Sequence, residues 1–347
     1  MAQAYAEETG HDRDEPGPAR SRAERLKDHG RRLIDGWRGR EVWRRGLVVA
    51  GFAVLLALLM ILHAQIPNNV GNLGSLLETF LPWIGMVGIP ILLVCALVRR
   101  SATALVALLM PVIVWLNLFG GLLTSKSGSG GDLTVVSHNV NADNADPAST
   151  AKDVAASGAQ VVALEEVTGD AAPTYERELK SAYPYHTIQG TVGLWSTYPI
   201  KDARIVDIQM GWSRALRATV AAPKGEVAVY VAHLPSVRVK FNAGFTAGQR
   251  DDSARALGAA IRAERLERVI LLGDLNGTVN DRALAPVTSQ LRSAQGAAGD
   301  GFGFSWPASF PMARIDQILV RGVEPVSAWT LPDTGSDHLP VAASVNF

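Results

Sequence analysis

The chain has 347 residues, with 33 Lys and Arg against 33 Asp and Glu and a single cysteine. Zero net charge excludes a chain that is basic throughout, and with it the simplest electrostatic case for nucleic-acid binding; one thiol excludes an internal disulfide framework and a cysteine-rich zinc site. Charged residues make up 19% of the sequence while apolar ones reach 48%, and since soluble domains carry roughly 25% charged residues, some long stretch must be almost uncharged.

In chain order, residues 1–45 form a tail. Its first 30 residues mix Glu, Asp, Arg, Gly and Pro with few apolar positions, a composition that predicts disorder, and its remainder is basic, with Arg31, Arg32, Arg38, Arg40, Arg44 and Arg45. From 46 to 123 the only charged side chains are Glu78, Arg99 and Arg100. Apolar runs at 47–62, 80–98 and 102–123 are near the length that a helix needs to cross about 30 Å of hydrocarbon, which predicts three transmembrane helices. Buried core helices are the alternative, but three in succession without a polar face would leave a soluble protein nothing to show to water.

The arginines ahead of the first span, set against a 63–75 connection with no Lys, Arg, Asp or Glu, place the N-terminus in the cytoplasm. Arg99 and Arg100 then also face inward, and the rest of the chain emerges outside. The expected localisation is therefore the plasma membrane, multi-pass, with an extracytoplasmic C-terminal domain. The lone Cys95 lies within the second span, so the exported part carries no thiol.

Residues 124–131, rich in Gly and Ser, predict a flexible linker with a coil dimension of about 16 Å. From 132 to 347, short β-branched strands alternate with turns and helical stretches, the pattern of one α/β domain. Asp146-Pro147 predicts the N-cap and first turn of a helix ending near Gly158. A longer helix is expected over 246–264.

Polar residues fall at the ends of these strands. Leu133-Thr134-Val135-Val136 runs into Ser137-His138-Asn139, Val161-Val162-Ala163-Leu164 into Glu165-Glu166, Val229-Tyr230-Val231-Ala232 into His233, and Val269-Ile270-Leu271-Leu272 into Gly273-Asp274-Leu275-Asn276. Arg314-Ile315-Asp316 and Ser336-Asp337-His338 instead precede their strands, and antiparallel neighbours would bring all six groups to one sheet edge. Asn139, Glu166, His233, Asp274, Asn276, Asp316, Asp337 and His338 supply hard oxygen ligands, two imidazoles and amide donors. Carboxylate and amide oxygens suit Mg²⁺ or Mn²⁺, and such a cation beside paired His and Asp residues suits phosphoester or pyrophosphate hydrolysis.

The series Ser137-His138-Asn139-Val140, Ala163-Leu164-Glu165-Glu166-Val167, His233-Leu234, Gly273-Asp274-Leu275-Asn276, Arg314-Ile315-Asp316 and Gly335-Ser336-Asp337-His338-Leu339-Pro340-Val341 resembles the endonuclease/exonuclease/phosphatase superfamily. The resemblance covers the whole of 132–347. It implies a four-layer αββα sandwich of two mixed β-sheets, an α/β (α+β) fold, here preceded by three transmembrane helices. It also implies that Glu166 is the principal metal ligand, with Asn139 beside it and Asp337 in support. Asp274 is implied to orient or deprotonate the attacking water, Asn276 to hold a phosphate oxygen, and His338 to contact the scissile phosphate with its tautomer fixed by Asp316. His233 matches the second family histidine.

The chain also departs from the family pattern. Glu165 stands where the family often has Gln, so the choice between Glu165 and Glu166 rests on register; Gln317 replaces a frequent aromatic. The phosphate-binding arginine is Arg214 or Arg217, of which Arg217 reads better as a strand position, and Arg250 is a further candidate.

Residues 132–347 hold 19 Lys and Arg against 23 Asp and Glu, a net of −4, which argues against DNA as a partner. The short linker instead favours a substrate embedded in the adjacent leaflet. The segment 237–248, with Phe241 and Phe245, and the aromatic stretch 301–307 are candidate lipid-facing loops. Three spans joined to this domain resemble actinobacterial proteins associated with teicoplanin-type glycopeptide resistance, which implies a polyprenyl pyrophosphate or related lipid-linked substrate. An exported nuclease or sphingomyelinase-like phosphodiesterase, and a non-catalytic membrane sensor, are the alternatives. The sequence leaves the oligomeric state open.

Overall fold

The computed structural model describes residues 39–68, 71–237, 239–240 and 244–347, together with Arg22, Lys27 and Trp37. Most of the tail, including Arg31, Arg32 and Arg38, lies outside the described residues, as does Phe241.

The uncharged stretch folds as helices α1 (Leu47–Ile61), α3 (Leu81–Val98) and α4 (Ala102–Phe119), with a short helix α2 (Leu73–Thr79) between the first two. Among the described residues, three helices are long and apolar enough to cross a membrane. They meet through small side chains, with Ala50, Ala53, Ala96 and Ala104 buried where the backbones approach. Val48, Phe52, Val94, Val98 and Ile113 stay exposed on the outside of the bundle, a large apolar surface of the kind that marks an interaction with a membrane or another protein. Helix α2 was not expected, because seven residues with one buried Glu give no clear period of their own.

The remainder is built on two six-stranded sheets. Strands β1 (Leu133–Asn139), β2 (Val161–Glu165), β3 (Tyr185–Gln189), β4 (Val192–Ser196), β13 (Glu324–Thr330) and β14 (Val341–Asn346) form one, in the order β13-β14-β1-β2-β4-β3. Strands β5 (Ile200–Ile205), β6 (Ala215–Ala222), β7 (Gly225–Ala232), β10 (Val269–Asp274), β11 (Arg292–Ser293) and β12 (Asp316–Arg321) form the other, in the order β11-β12-β10-β7-β6-β5. A small hairpin of β8 (Val239–Lys240) and β9 (Gly244–Phe245) stands apart. The pairs β1–β2 and β7–β10 are parallel and the rest antiparallel, so both sheets are mixed.

Between the sheets lies a core of Val135, Val161, Leu194, Leu216, Val229 and Ile270 with their neighbours; each such side chain removed from water stabilises the fold by about 1.5–3 kcal/mol. Helices α5 (Pro147–Ala156) and α6 (Ala172–Leu179) cover the outer face of the first sheet, through Val154, Tyr175 and Leu179. Helix α7 (Gly248–Arg262) covers the second, through Ala254, Leu257 and Ile261. Central strands are thus covered on both faces, which is why they read as continuous Val, Leu and Ala runs. This is the four-layer αββα sandwich with two mixed sheets that the sequence led us to expect. Asp146 caps α5 by accepting from Ser149 N at 2.9 Å.

The linker is not a free tether. Lys126 Nζ donates to Gly296 O at 2.7 Å, Ser127 Oγ to Ala298 O at 3.2 Å and Gly128 N to Val326 O at 2.7 Å. The anchor itself also docks on the sandwich. Ser75 Oγ donates to Asp281 at 3.1 Å, and the fully buried Glu78 accepts from Arg282 N at 3.1 Å and lies 3.2 Å from His63. Trp83 stacks on Phe304 at 5.8 Å between centroids and donates from its ring nitrogen to Met312 O at 2.7 Å. Phe302 packs on Trp115 and Phe119. The aromatic stretch 301–307 therefore lies against the apolar helices.

Candidate active site

Strands β1, β2, β7 and β10 end at one edge of the sandwich, and β12 and β14 begin there. Asn139 closes β1, Glu166 follows β2, His233 follows β7 and Asp274 closes β10, directly opposite Asp316 at the start of β12. Asp337 and His338 lie just ahead of β14. The cleft between these ends has a volume of about 510 Å³ and is lined on its polar side by Glu166, His233, Asp274, Asn276, Asp337 and His338, with Asn139 and Asp316 buried behind them.

The backbone is shaped to aim these groups. Glu166 and Asn276 adopt left-handed φ of 64° and 46°, conformations that cost non-glycine residues energy and gather at functional sites. At Glu166 the turn breaks strand alternation: Glu165 points back between the sheets with Ser137 Oγ donating to it at 3.0 Å, while Glu166 enters the cleft.

Asn139 Nδ2 donates to Asp274 at 3.1 Å and to Glu166 at 3.3 Å, and Ala142 N donates to the other oxygen of Glu166 at 2.8 Å. Asp274 also accepts from Asn276 N at 2.8 Å and from Asn276 Nδ2 at 3.1 Å. His338 Nδ1 lies 2.9 Å from Asp316, which accepts in addition from Ser305 Oγ at 2.5 Å. His338 Nε2 stands 3.9 Å from Asp274, and His233 Nε2 lies 3.5 Å from Glu166 and 3.6 Å from Asp274.

These contacts set the charges. Burial opposes charge on His338, but Asp316 in contact, with Asp274 and Asp337 nearby, raises it to about 10, so the ring is a cation at neutral pH. Burial, aided by Arg214 and His338, holds His233 well below the usual histidine range and keeps it neutral. Burial pushes Asp274 up to about 7; Asp316 adds to the rise, while His338 and the donors from Asn276 and Asn139 oppose it. Burial likewise raises Glu165 and lowers His138 to about 3.

Glu166 and Asp274 converge on one amide nitrogen, and neither is hydrogen-bonded to a cationic side chain among the described residues. Glu166, Asp274 and Asp337 line one cleft with Asn139 buried behind them, and hard oxygens of this kind suit a divalent cation such as Mg²⁺ or Mn²⁺. Asp274, Asp316 and His338 also offer ligand atoms within 4.8 Å of one another, but Asp316 and His338 are occupied with each other.

Three expectations need correction. Arg217, expected to bind phosphate, is outside the cleft: alternation along β6 sends Leu216 and Ala218 between the sheets and Arg217 to the opposite face, where its guanidinium pairs with Glu264 at 2.8 Å. Arg214, one residue ahead of β6 and facing His233, lies instead against the His233 ring and beside Glu166 in a neighbouring pocket. Arg250 is buried behind the site, paired with Asp281 at 2.7 Å and donating to Asn276 O at 3.0 Å. Asn276 lines the cleft, but its amide hydrogens go to Asp274 and, at 3.0 Å, to Leu234 O; in this arrangement it positions Asp274 rather than reaching a phosphate.

On the apolar side of the cleft, sequence reasoning missed Thr79, Phe80, Ala313 and Ile315; Val237 and Trp306, which line it with them, fall within the two stretches named as candidate lipid-facing loops. It also missed Ser305, which braces Asp316 from within the aromatic stretch.

Residues 136–338 match the sequence model of the Endonuclease/Exonuclease/phosphatase family. The fold is similar to that of D. rerio TDP2 humanised by 14 mutations, with 20% identity, covering 62% of this chain and 99% of that one at a TM-score of 0.51. An endonuclease/exonuclease/phosphatase family protein of Bacteroides thetaiotaomicron is 17% identical, covering 63% of this chain and 96% of that one at a TM-score of 0.50. A third, from Beutenbergia cavernae, is 19% identical, covering 62% and 72% at 0.50. No curated protein matches the sequence.

Proposed function

Because the chain belongs to the endonuclease/exonuclease/phosphatase family, whose model matches residues 136–338, we propose that it is a membrane-anchored, divalent-metal-dependent phosphohydrolase that cleaves a lipid-linked pyrophosphate on the outer face of the plasma membrane. The observation that carries this reading is the His338–Asp316 pair, which presents a buried imidazolium across one cleft from Asp274 and Glu166.

A cation held by Glu166, Asn139 and Asp337 would neutralise phosphoryl oxygens and lower the pKa of a bound water. Asp274, held by Asn276 and Asn139, orients the attacking water and takes its proton as the new P–O bond forms and the bond to the leaving phosphate breaks. His338, kept charged by Asp316, donates from Nε2 to a phosphoryl oxygen as negative charge grows there. His233, neutral, accepts from Arg214 and can donate from its other nitrogen.

The lipid substrate is supported by the apolar helices and by the net −4 of residues 132–347, which does not attract a polyanion before a cation binds. The outward orientation rests on the arginine distribution, and a link to glycopeptide resistance rests on the sequence resemblance. Purified full-length protein with Mg²⁺ is expected to release phosphate from a prenyl pyrophosphate, with Asp274→Asn and His338→Gln each lowering kcat by about a hundredfold or more. Cleavage of DNA or a sphingomyelin-type diester without phosphate release from pyrophosphates would replace this reading, and an inactive protein with an unchanged cellular phenotype in both variants would favour a binding module.

A further inference from the structure

The apolar side of the cleft is supplied in part by the anchor. Thr79 ends α2 and Phe80 is the single residue between it and Leu81, the first residue of α3; both line the same cleft as Asp274 and His338. One residue of helix rises about 1.5 Å, so the cleft lies at the very end of a membrane-spanning segment.

The placement is built in by buried polar contacts. Glu78, fully buried, is bound to Arg282 N, and its carbonyl accepts from Thr278 Oγ1 at 3.4 Å. A carboxylate is not buried without partners; one of them, His63, is the anchor's own, and Arg282, like Thr278 at the carbonyl, belongs to the sandwich. Ser75 reaches Asp281, Asp281 pairs with Arg250, and Arg250 donates to the carbonyl of Asn276, which itself holds Asp274. Polar contacts thus run from the anchor to the loop that sets the cleft.

The rim is aromatic. Phe310 is 63% exposed and lies 6.4 Å from Trp83, the third residue of α3; Trp306, 36% exposed, lines the cleft. Exposed aromatic side chains at the end of a spanning helix are the composition of a membrane interface. The same 302–312 loop carries Ser305, which donates to Asp316, so the rim and the brace of the catalytic pair are parts of one segment.

We infer that Thr79 and Phe80 form the wall that receives the hydrocarbon chain of a lipid-linked substrate, so that the phosphoester is cleaved while its chain still lies in the bilayer. This rests on the phosphohydrolase reading for the chemistry at the polar end of the cleft, and makes Phe80 a specificity-determining residue of the anchor.

The test uses full-length protein in phosphatidylcholine vesicles with Mg²⁺, comparing a long polyprenyl pyrophosphate in the bilayer with isopentenyl pyrophosphate in solution, which has the same head group. Phe80→Ala is expected to raise KM for the long chain by about tenfold or more and to leave the short-chain parameters within about twofold, while Phe80→Leu, which keeps an apolar side chain, restores most of the long-chain rate. Equal losses on both substrates, no effect on either, or a wild-type preference for the short chain would overturn the inference and leave the phosphohydrolase standing. If the wild-type protein cleaves another lipid phosphoester instead, the pyrophosphate reading falls and the same long-versus-short comparison on that ester decides this one. If nothing is cleaved, a benzophenone amino acid replacing Phe80 decides: labelling of polyprenyl phosphate in the vesicles from that position but not from Tyr185, on the distant β3, supports the wall, and absence of labelling overturns it.

Discussion

His338 and Asp274 lie 3.9 Å apart, and both are raised above their ordinary values for different reasons. His338 is protonated because Asp316 touches it; burial raises Asp274, leaving it near the point where it can take a proton. The signs follow. In the proposed reaction Asp274 must be ionised to accept a proton, so kcat/KM is expected to rise as pH rises through its value of about 7, and a bound cation would move this limb lower by favouring the anion. His338 must be protonated, so kcat/KM falls as pH rises through about 10. Asp316→Asn is expected to move the alkaline limb down by at least about one pH unit, because the neutral amide no longer stabilises the imidazolium. A pH profile unchanged in that variant would remove Asp316 from its role.

At the scale of elements, β10 shows how a strand aims its last residue. Gly273 precedes Asp274 with φ 153°, and a Cβ there would sit 1.9 Å from the carbonyl oxygen of Ala232 on the parallel neighbour β7. That neighbour is backbone and cannot turn away, so only glycine lets the strands close and place Asp274 beside His233. Gly273→Ala is expected to cost about 2 kcal/mol or more of stability and to lower phosphate release even at temperatures where the protein stays folded, since the strand end must shift. Calorimetry paired with the phosphate-release assay checks both effects; an active, equally stable variant would show that the contact relaxes without consequence.

Across the whole molecule, anchor and sandwich behave as one body in this structure. Glu78, Ser75, Trp83 and Phe302 all cross between them, and the linker residues Lys126 to Gly128 lie on the sandwich surface. A protease site inserted between Gly130 and Gly131 therefore tests the interface directly. After cleavage in mild detergent the two fragments are expected to co-migrate on size exclusion, and a Glu78→Ala, Trp83→Ala double variant to let them separate. Separation of the wild-type fragments would mean that the linker alone holds the parts together.

Several features of this protein were legible in the sequence because they depend on local order. An uncharged run long enough to span a bilayer needs no tertiary context, nor does a strand that must be covered on both faces, nor a cluster of Asn139, Glu166, His233, Asp274, Asp316, Asp337 and His338 at strand ends. The family motifs added the αββα sandwich. Other features were decided only by the tertiary structure, because they depend on direction and distance. Side-chain parity, one residue either way, sends Arg217 to Glu264 and leaves Arg214 at His233. A left-handed turn puts Glu166 rather than Glu165 in the cleft. Above all, Thr79 and Phe80 lie more than 80 residues before Glu166 in the sequence, with no motif of their own, and only the docking of the anchor on the sandwich makes them part of the cleft. Charge divides the chain into an apolar anchor and a charged domain, and folding brings the end of that anchor back against the cleft.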